Sequence, residues 1–426
     1  MKHCVWIILL LATCAAADPT PHAEFAHPMP GVDAEWSATS LAPFLEAIRD
    51  VRILGLGETT HGCSEMFAAK RRIIRLMVEQ ESVETLVFEL SVGEGADLDD
   101  YVSGKRDDVR EILNGLPLWM FRVEEFEELL VWIREHNLQA EHPVRIVGME
   151  SQYCDRSIRH VLESIEKDDP ALARELREAF GAQRIAGPSS SAEEFHFLYQ
   201  PIPSDVLGDF QQLHRSLRDH FGGREPTNSV EEAEAYRHFK SIEQFIALAV
   251  LEDPMARAQL RDYVMFVNVM SAVERSRPGS RTIVWSHNEH VLKQVGNGGY
   301  DVLGRQLERW YGTSYYALGF DFGSGRYNAP DAGGFVHEVP APEPGSFTAL
   351  LLSLGGPDVF YDLRAAEASV EAGPLLSEPQ SLRASAGGYV PKENGVMIHS
   401  REVTLPGRYD GLWSIAEVRP TTFLAR

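Results

Sequence analysis

Two short motifs, more than two hundred residues apart, place acid/base side chains directly after apolar segments. The first carries Glu58 and His61, and the second carries His287 and His290. A histidine held by a carboxylate can act as a general base near neutral pH, because its pKa lies close to 7. The two motifs therefore predict a site at which histidine and glutamate move protons.

Four apolar segments of strand character precede ionisable residues in this chain. Glu89 follows one of them directly, and Glu150 comes shortly after another. In open α/β sheets, ligands bind at the carboxyl ends of the parallel strands. If the four segments are parallel strands, their charged side chains meet at one edge of the sheet. The segments are residues 51–56, 85–88, 144–147 and 282–285.

Amphipathic segments of helical period separate the first strands. One begins at Ser64 and runs to about Glu81, and another covers Glu124 to Asn137. This alternation predicts an α/β fold, with a mostly parallel sheet flanked by helices. Residues 156–275 have helical period only, which predicts a helical insertion that forms one wall of the active-site cleft. Strand character returns at 282 and again at 315–322, followed by a loop or hairpin over 323–345.

The amino-terminal residues have the pattern of a signal peptide. A basic start, a short apolar run and Ala15-Ala16-Ala17 predict cleavage after residue 17, so the protein is expected to be secreted or periplasmic. Cleavage before Cys14, as in a lipoprotein, is the alternative. Residues 18–40 are expected to form a flexible leader. The remainder, 41–426, is expected to be one domain whose α/β core comprises 41–155 and 276–426.

The net charge is −23, which opposes binding to nucleic acid or to anionic membranes. Outside the amino terminus there is no apolar stretch of about 18 residues, so no membrane span is expected in the mature chain. Cleavage after residue 17 would leave Cys63 and Cys154, which could form a disulfide or remain free thiols.

From about residue 40 to 320 the chain resembles the erythromycin esterase family. Each motif alone is weak evidence, but several motifs in the right order are far more specific. In chain order they are Gly57-Glu58-x-x-His61-Gly62, Phe88-Glu89, Trp119 ahead of Glu125, Arg261-Asp262-x-x-Met265-x-x-Asn268, and Trp285-x-His287-Asn288-x-His290.

The resemblance implies a role for each matching residue. His61 would be the general base that activates water, with Glu58 or Glu89 fixing its tautomer. Where the family commonly has a functional arginine, this chain has Lys70, which keeps the charge and loses the bidentate fork. The oxyanion that develops on the substrate would need hydrogen-bond donors, for which the candidates are His287, His290 and Lys70.

Two further residues are predicted to contact substrate, each with a structural alternative. Trp119 would line the cleft or simply pack against it, and Glu150 would bind substrate or cap the following helix. The Arg261-Asp262 pair is expected to tie the insertion to the sheet. The chain contains no Gly-x-Ser-x-Gly motif, so water rather than a serine is the expected nucleophile.

These residues predict a hydrolase that cleaves a small carboxylic ester or lactone, a macrolactone included, without a cofactor. A metal-dependent hydrolase or peptidase is the first alternative, because His61, His287, His290 and a glutamate are the ligands that zinc or manganese accepts. An exported haem-binding protein of the wider superfamily is the second alternative, and it would require an open apolar platform with an axial ligand.

Overall fold

The computed structural model describes residues 20–80, 83–180, 204–222, 229–331, 334–384, 390, 392–393 and 396–425. The predicted signal peptide 1–17 and Cys14 lie outside these residues. Within them, no helix is long and apolar enough to cross a membrane.

The strands of the described part of the chain are β1 Ala26–Met29, β2 Ile53–Leu56, β3 Val83–Ser91, β4 Arg145–Glu150, β5 Arg281–Trp285, β6 Tyr315–Asp331, β7 Gly334–Val339, β8 Asp358–Tyr361, β9 Gln380–Arg383, β10 Lys392–Glu393, β11 Val396–Met397, β12 Ser400–Val403 and β13 Gly411–Val418. Nine of these strands form one mixed sheet in the order β1-β8-β13-β6-β2-β5-β3-β4, with β7 paired to the end of β6. The other four form two small two-stranded sheets, β10 with β11 and β9 with β12.

The centre of the sheet is parallel, as predicted. β2 pairs in parallel with β5 and β6, and β3 pairs in parallel with β5 and β4. The carboxyl ends of β2, β5, β3 and β4 are therefore neighbours along one edge. Within the described residues, the antiparallel pairs of this sheet are β1 with β8, β8 with β13, and β6 with β7.

Helices cover both faces of the sheet. They are α1 Ala42–Ala47, α2 Ser64–Gln80, α3 Val92–Val102, α4 Val109–Asn114, α5 Glu124–Asn137, α6 Asp155–Asp168, α7 Pro170–Phe180, α8 Ser204–Phe221, α9 Val230–Ala249, α10 Pro254–Arg275, α11 Asn288–Val291, α12 Leu303–Tyr311, α13 Phe347–Ser353, α14 Leu363–Ala368 and α15 Ala372–Leu376. Short 3-10 turns lie at Thr20–His22, Trp119–Phe121 and Gly312–Ser314.

Alternate residues of the central strands contribute to two hydrophobic cores, one on each face. Leu54 and Phe88 join a core with α2 and α5, whereas Ile53 and Val87 join the core beneath α10 and α12. Strands buried on both faces are nearly continuous apolar runs. This is the reason that the strand segments were recognisable in the sequence.

The described part of the predicted insertion consists of helices. α6 to α9 pack around their own hydrophobic cluster, which includes Phe210, Leu213, Phe239 and Ile242. The last helix, α10, returns to the sheet and buries apolar side chains in the second core. α10 therefore connects the insertion to the strands.

One segment differs from the sequence prediction. Residues 26–29, expected in a flexible leader, form β1 and pair with β8 at the edge of the sheet. Of the two alternatives for residues 323–345, the structure has the hairpin, in which β6 continues from 322 to Asp331 and pairs with β7. Cys63 and Cys154 are free thiols and both are buried.

Candidate active site

His61 is held by a buried ion pair at the carboxyl end of β2. Its Nδ1 donates a hydrogen bond to one oxygen of Glu58. The other oxygen accepts from Lys70 Nζ, and from Trp285 Nε1 at 3.1 Å. The Glu58 and Lys70 side chains are almost completely buried. The imidazole is therefore oriented by a carboxylate that is itself fixed on its far side.

Two glycines make this loop possible. A Cβ on Gly62 would lie 1.9 Å from the backbone oxygen of Asn328, and one on Gly57 would lie 2.2 Å from the side chain of Asn288. Gly62 also accepts hydrogen bonds from the backbone of Asn328 and of Thr421, at 3.0 and 3.1 Å. The loop thus fits closely between β6 and the segment after β13.

Charge pairing keeps Glu58 ionised inside the protein. Burial alone would raise the pKa of Glu58, but Lys70 and His61 outweigh this effect and lower it. Burial lowers the pKa of Lys70 to about 8, although Glu58 acts in the opposite direction. The ammonium of Lys70 also lies 3.9 Å above the ring of Trp285, which favours the cation.

Glu89 is a second buried carboxylate, at the end of β3. It accepts hydrogen bonds from Ser286 Oγ at 2.5 Å, from the backbone N–H of His287 at 2.9 Å and from Arg261 at 2.7 Å. Burial would raise the pKa of Glu89, but His290 and Arg261 hold it well below the usual range.

His287 is neutral and bonded through both ring nitrogens. Nε2 donates to the backbone oxygen of Thr59 at 3.0 Å, and Nδ1 accepts from the backbone N–H of Glu289 at 3.3 Å. Burial, with the nearby His61, lowers the pKa of His287 to about 3. The ring of His287 lies edge to face with that of His61, with 5.4 Å between centroids. His287 therefore joins two loops at the rim.

Consecutive residues of α10 complete the network from above the sheet. Asp262 accepts a hydrogen bond from His290 Nδ1 at 2.8 Å, and Arg261 donates to His290 Nε2 at 2.8 Å. Arg261 also forms ion pairs with Glu89 and Glu150. Burial lowers the pKa of His290, but Asp262 and Glu89 outweigh it and raise the pKa.

Glu150 lies on the same network, at the end of β4. One of its oxygens contacts Arg261 and accepts from Gln152 Nε2 at 3.2 Å, while the other is buried without a hydrogen-bond partner among the described residues. Burial raises the pKa of Glu150, against the effect of Arg261.

The structure thus brings together the predicted Glu58, His61, Lys70, Glu89, Glu150, His287 and His290 at one edge of the sheet. Trp119 packs edge to face with Phe335 and Phe423, at centroid distances of 5.8 and 6.1 Å, and its contact with substrate stays a prediction. The sequence did not predict that Arg261 reaches both glutamates. Its only signal was the Arg-Asp pair, interpreted as a tie between insertion and sheet.

The imidazole nitrogens of the rim are mostly engaged by protein groups. Within the residues that the structure describes, no three or more His, Cys, Asp or Glu side chains are grouped as ligands for a metal ion. Metal-binding histidines present a free nitrogen to the ion. His287 and His290 have both nitrogens bonded instead.

Fold and site together define an α/β protein with a histidine–carboxylate network at the carboxyl ends of its parallel strands. The chain belongs to the erythromycin esterase family, whose profile, described as erythromycin esterase, matches residues 78–418. The family and the names of its members indicate a hydrolase.

The chain is similar to several curated proteins and solved structures. Erythromycin esterase type II of Escherichia coli is 21% identical, over 66% of this chain and 72% of its own. The putative hydrolase YbfO of Bacillus subtilis (strain 168) is 24% identical, over 74% of this chain and 75% of its own.

Among solved structures, a Bacillus cereus protein superposes with a TM-score of 0.79 at 23% identity, covering 96% of this chain and 100% of its own. A succinoglycan biosynthesis protein superposes with a TM-score of 0.77 at 20% identity, covering 95% of this chain and 98% of its own. A mutant of the erythromycin esterase EreC in its open conformation superposes with a TM-score of 0.63 at 15% identity, covering 92% of this chain and 97% of its own. At these identities the likeness supports the fold alone.

Proposed function

We propose that the protein hydrolyses a carboxylic ester or lactone by direct attack of a water molecule that His61 activates. The observation that carries this proposal is the pairing of His61 Nδ1 with Glu58, whose other oxygen is bonded to Lys70 and Trp285. This arrangement fixes the proton on Nδ1 and leaves Nε2 as the basic nitrogen.

The atoms and protons of this reaction balance with water, the substrate and His61. His61 Nε2 takes a proton from water while the water oxygen bonds to the carbonyl carbon, and the carbonyl electron pair moves to its oxygen. When the tetrahedral intermediate collapses, the bond to the alkoxy oxygen breaks, and the His61 cation returns its proton to that oxygen. The ionised Glu58 stabilises the cation between the two steps.

Lys70 is a positioning residue in this mechanism. It is fully buried and bonded to Glu58, so it acts on substrate only through Glu58 and His61. Glu89 holds the backbone of His287 and the side chain of Arg261 in place. Glu150 remains the proposed substrate-binding residue, because its unpartnered buried oxygen can accept a hydrogen bond from a substrate group.

The proposal includes independence from metal ions. Its support is that His287 and His290 are bonded to protein groups through both nitrogens, so a metal would require these bonds to break. The substrate class is also a proposal, and erythromycin belongs in any test because one relative is named as its esterase.

The test is a screen of the purified protein against erythromycin, smaller lactones and p-nitrophenyl esters, with and without chelator. We expect hydrolysis in the presence of chelator. The variant His61→Ala should lose about 10² to 10⁴ in kcat with an unchanged melting temperature. His136→Ala is the matched control, because His136 stacks on Trp132 on the outer helix α5.

Three results would contradict the proposal. One is more than about a tenth of wild-type kcat in His61→Ala, which would remove His61 from the role of base. Another is an acyl-enzyme seen by intact-protein mass spectrometry during turnover. The last is activity lost to chelator and restored by zinc or manganese, which would favour the metal-dependent mechanism.

A further inference from the structure

Hydrolysis by this mechanism needs a donor for the carbonyl oxygen, which becomes an oxyanion in the transition state. The three donors expected from the sequence are committed elsewhere. Lys70 is fully buried behind Glu58, and His287 is bonded through both nitrogens. His290 donates its Nδ1 proton to Asp262. The N–H groups of these three residues are therefore buried or bonded to protein groups.

Among the residues that the structure describes, Arg261 is a cationic side chain at this rim that retains donors. Its Nη2 contacts Glu89 and Glu150, and its Nη1 donates to His290. Its Nε has no hydrogen-bond partner among the described residues although it is buried. A guanidinium has five N–H donors, so at least Nε–H and one further proton are uncommitted. The side chain is 23% exposed, against 0% for Lys70.

We propose that Arg261 is a catalytic residue that donates hydrogen bonds from its guanidinium to the carbonyl oxygen of the substrate and to the oxyanion formed when water adds. The inference rests on the proposed function and names the group that completes it. His61 removes the proton from water, and Arg261 receives the negative charge on the opposite side of the reacting carbon. No proton moves to or from Arg261.

The position of Arg261 is fixed before substrate binds. Glu89 holds the guanidinium from the strand side and is itself held by Ser286 and by the backbone of His287. Glu150 holds it from the neighbouring strand. Donors fixed in advance stabilise a transition state without the cost of reorientation. The two carboxylates also balance the charge of Arg261, so its N–H groups, rather than a net positive field, stabilise the oxyanion.

A buried donor without an acceptor is unfavourable, and such a group in a native structure calls for a specific explanation. A carbonyl oxygen supplied by the substrate is an acceptor for Nε–H of Arg261. A role limited to tying α10 to the sheet would be complete with the contacts to Glu89, Glu150 and His290. That role alone would leave Nε–H of Arg261 buried without an acceptor.

The experiment compares Arg261→Gln and Arg261→Lys with Asn268→Ala. Asn268 lies on the same helix and donates to the backbone oxygen of Met149 at 2.8 Å, so its loss also loosens α10 from β4. The probes are p-nitrophenyl acetate for hydrolysis and methylphosphonate, a tetrahedral anion, for inhibition. Urea unfolding of each variant measures the structural effect.

We expect Arg261→Gln to lose about 10² to 10³ in kcat with less than about a threefold change in KM. Inhibition by methylphosphonate should weaken in parallel with kcat/KM, which is the signature of a contact made to the transition state. Arg261→Lys should recover less than about a tenth of the activity, because a lysine lacks the planar fork. Asn268→Ala should keep its kcat and its inhibition by methylphosphonate.

The inference would be overturned if Arg261→Gln lost no more kcat than Asn268→Ala, or if the loss left inhibition by methylphosphonate unchanged. Failure of the proposed function would give a different result, because the wild-type protein would then hydrolyse none of the esters and lactones. Wild-type hydrolysis that requires His61 but tolerates Arg261→Gln would refute the role of Arg261 alone.

Discussion

The site contains a lysine whose side chain has no solvent-exposed surface. Lys70 has 0% exposure, and its ammonium is surrounded by Glu58 and the rings of Trp285, Phe67 and Phe320. Burying both charges is costly, and the pair is favourable only while both members are present. Lys70 thus fixes the ionised Glu58, and through it the tautomer of His61.

Lys70→Met should therefore impair both folding and catalysis. We expect a loss of about 3 to 5 kcal/mol in the free energy of unfolding, because Glu58 would be left buried without its counterion. We also expect a fall of at least about tenfold in kcat, because a protonated Glu58 no longer stabilises the His61 cation. Urea unfolding and ester hydrolysis measure the two effects.

The matched control is Arg71→Met, on the next residue of the same helix. Arg71 pairs with Glu128, whose side chain is 59% exposed, so its loss should cost less than about 1 kcal/mol and leave kcat unchanged. A Lys70→Met protein as stable as this control would contradict the positioning role of Lys70.

At the scale of elements, the loop between β2 and α2 is positioned by segments distant in the chain. The backbone of Gly62 is bonded to Asn328 in β6 and to Thr421, and Ser64 donates its N–H to the backbone oxygen of Arg419 at 2.9 Å. From the opposite side, α10 brings Arg261 and Asp262 to the rim. His61 and Arg261 are therefore placed by independent elements on one sheet.

Gly62→Ala should displace this loop. The added methyl group would overlap backbone atoms of Asn328, which cannot rotate away as a flexible side chain can. We expect a loss of about 1 to 3 kcal/mol in the free energy of unfolding, together with most of the hydrolytic activity. The measurements are urea unfolding and kcat.

Gly208→Ala should have the opposite effect on stability. Gly208 is exposed on α8, and a Cβ there would meet no other part of the described structure within 4 Å, apart from the neighbouring residues of its own helix. Alanine is favoured over glycine in a helix by about 0.5 to 1 kcal/mol, so this variant should be slightly more stable with unchanged activity. If both glycine variants behaved alike, the close fit of the Gly62 loop would be disproved.

For the whole molecule, stability at low pH depends on buried groups with opposite tendencies. His287 has a folded pKa of about 3, below its ordinary 6.5, so the unfolded chain binds a proton that the folded protein excludes between these values. Protonation of His287 in the unfolded chain therefore lowers the free energy of unfolding as pH falls. Burial raises the pKa of Glu94 and Asp358 to about 7 and of Asp321 to about 6, which favours the fold as pH falls.

His287→Asn isolates the histidine contribution. Asparagine can keep the bond to the backbone N–H of Glu289, since it is a good residue at a helix start, but it cannot be protonated. We expect the variant to be less stable than wild type near neutral pH, by about 1 kcal/mol for the lost bond to Thr59. As pH falls from about 6.5 to about 5, wild type should lose about 2 kcal/mol in the free energy of unfolding relative to the variant, so that the variant becomes the more stable of the two.

Urea unfolding of both proteins at several pH values measures this difference directly. The acidic groups are common to wild type and variant, so their effects cancel in the comparison. A difference in the free energy of unfolding that stays constant with pH would mean that His287 is not held neutral by burial.

The sequence by itself determined the parallel sheet and the edge on which the ionisable residues meet. Central strands buried on both faces are nearly continuous apolar runs, and Glu58, Glu89, Glu150 and His287 lie at or shortly after their carboxyl ends. Both signals are local, because strand character and the residue after a strand depend on neighbours in the chain. For the same reason α10 was recognisable as helical and as a tie to the sheet, but the two glutamates that Arg261 contacts were not predicted.

Only the tertiary structure decided which groups bond to each other. Spacing left Glu58 and Glu89 as equal partners for His61, and left Lys70 as a candidate donor to substrate. The loop after β2 pairs Glu58 with His61, whereas Glu89 is engaged by Ser286 and by the backbone of His287. Lys70, on α2, is bonded to Glu58 and buried. The approach of α10 adds Arg261 from a distant part of the chain. Such choices depend on distances of a few ångströms between elements, which no local pattern of residues specifies.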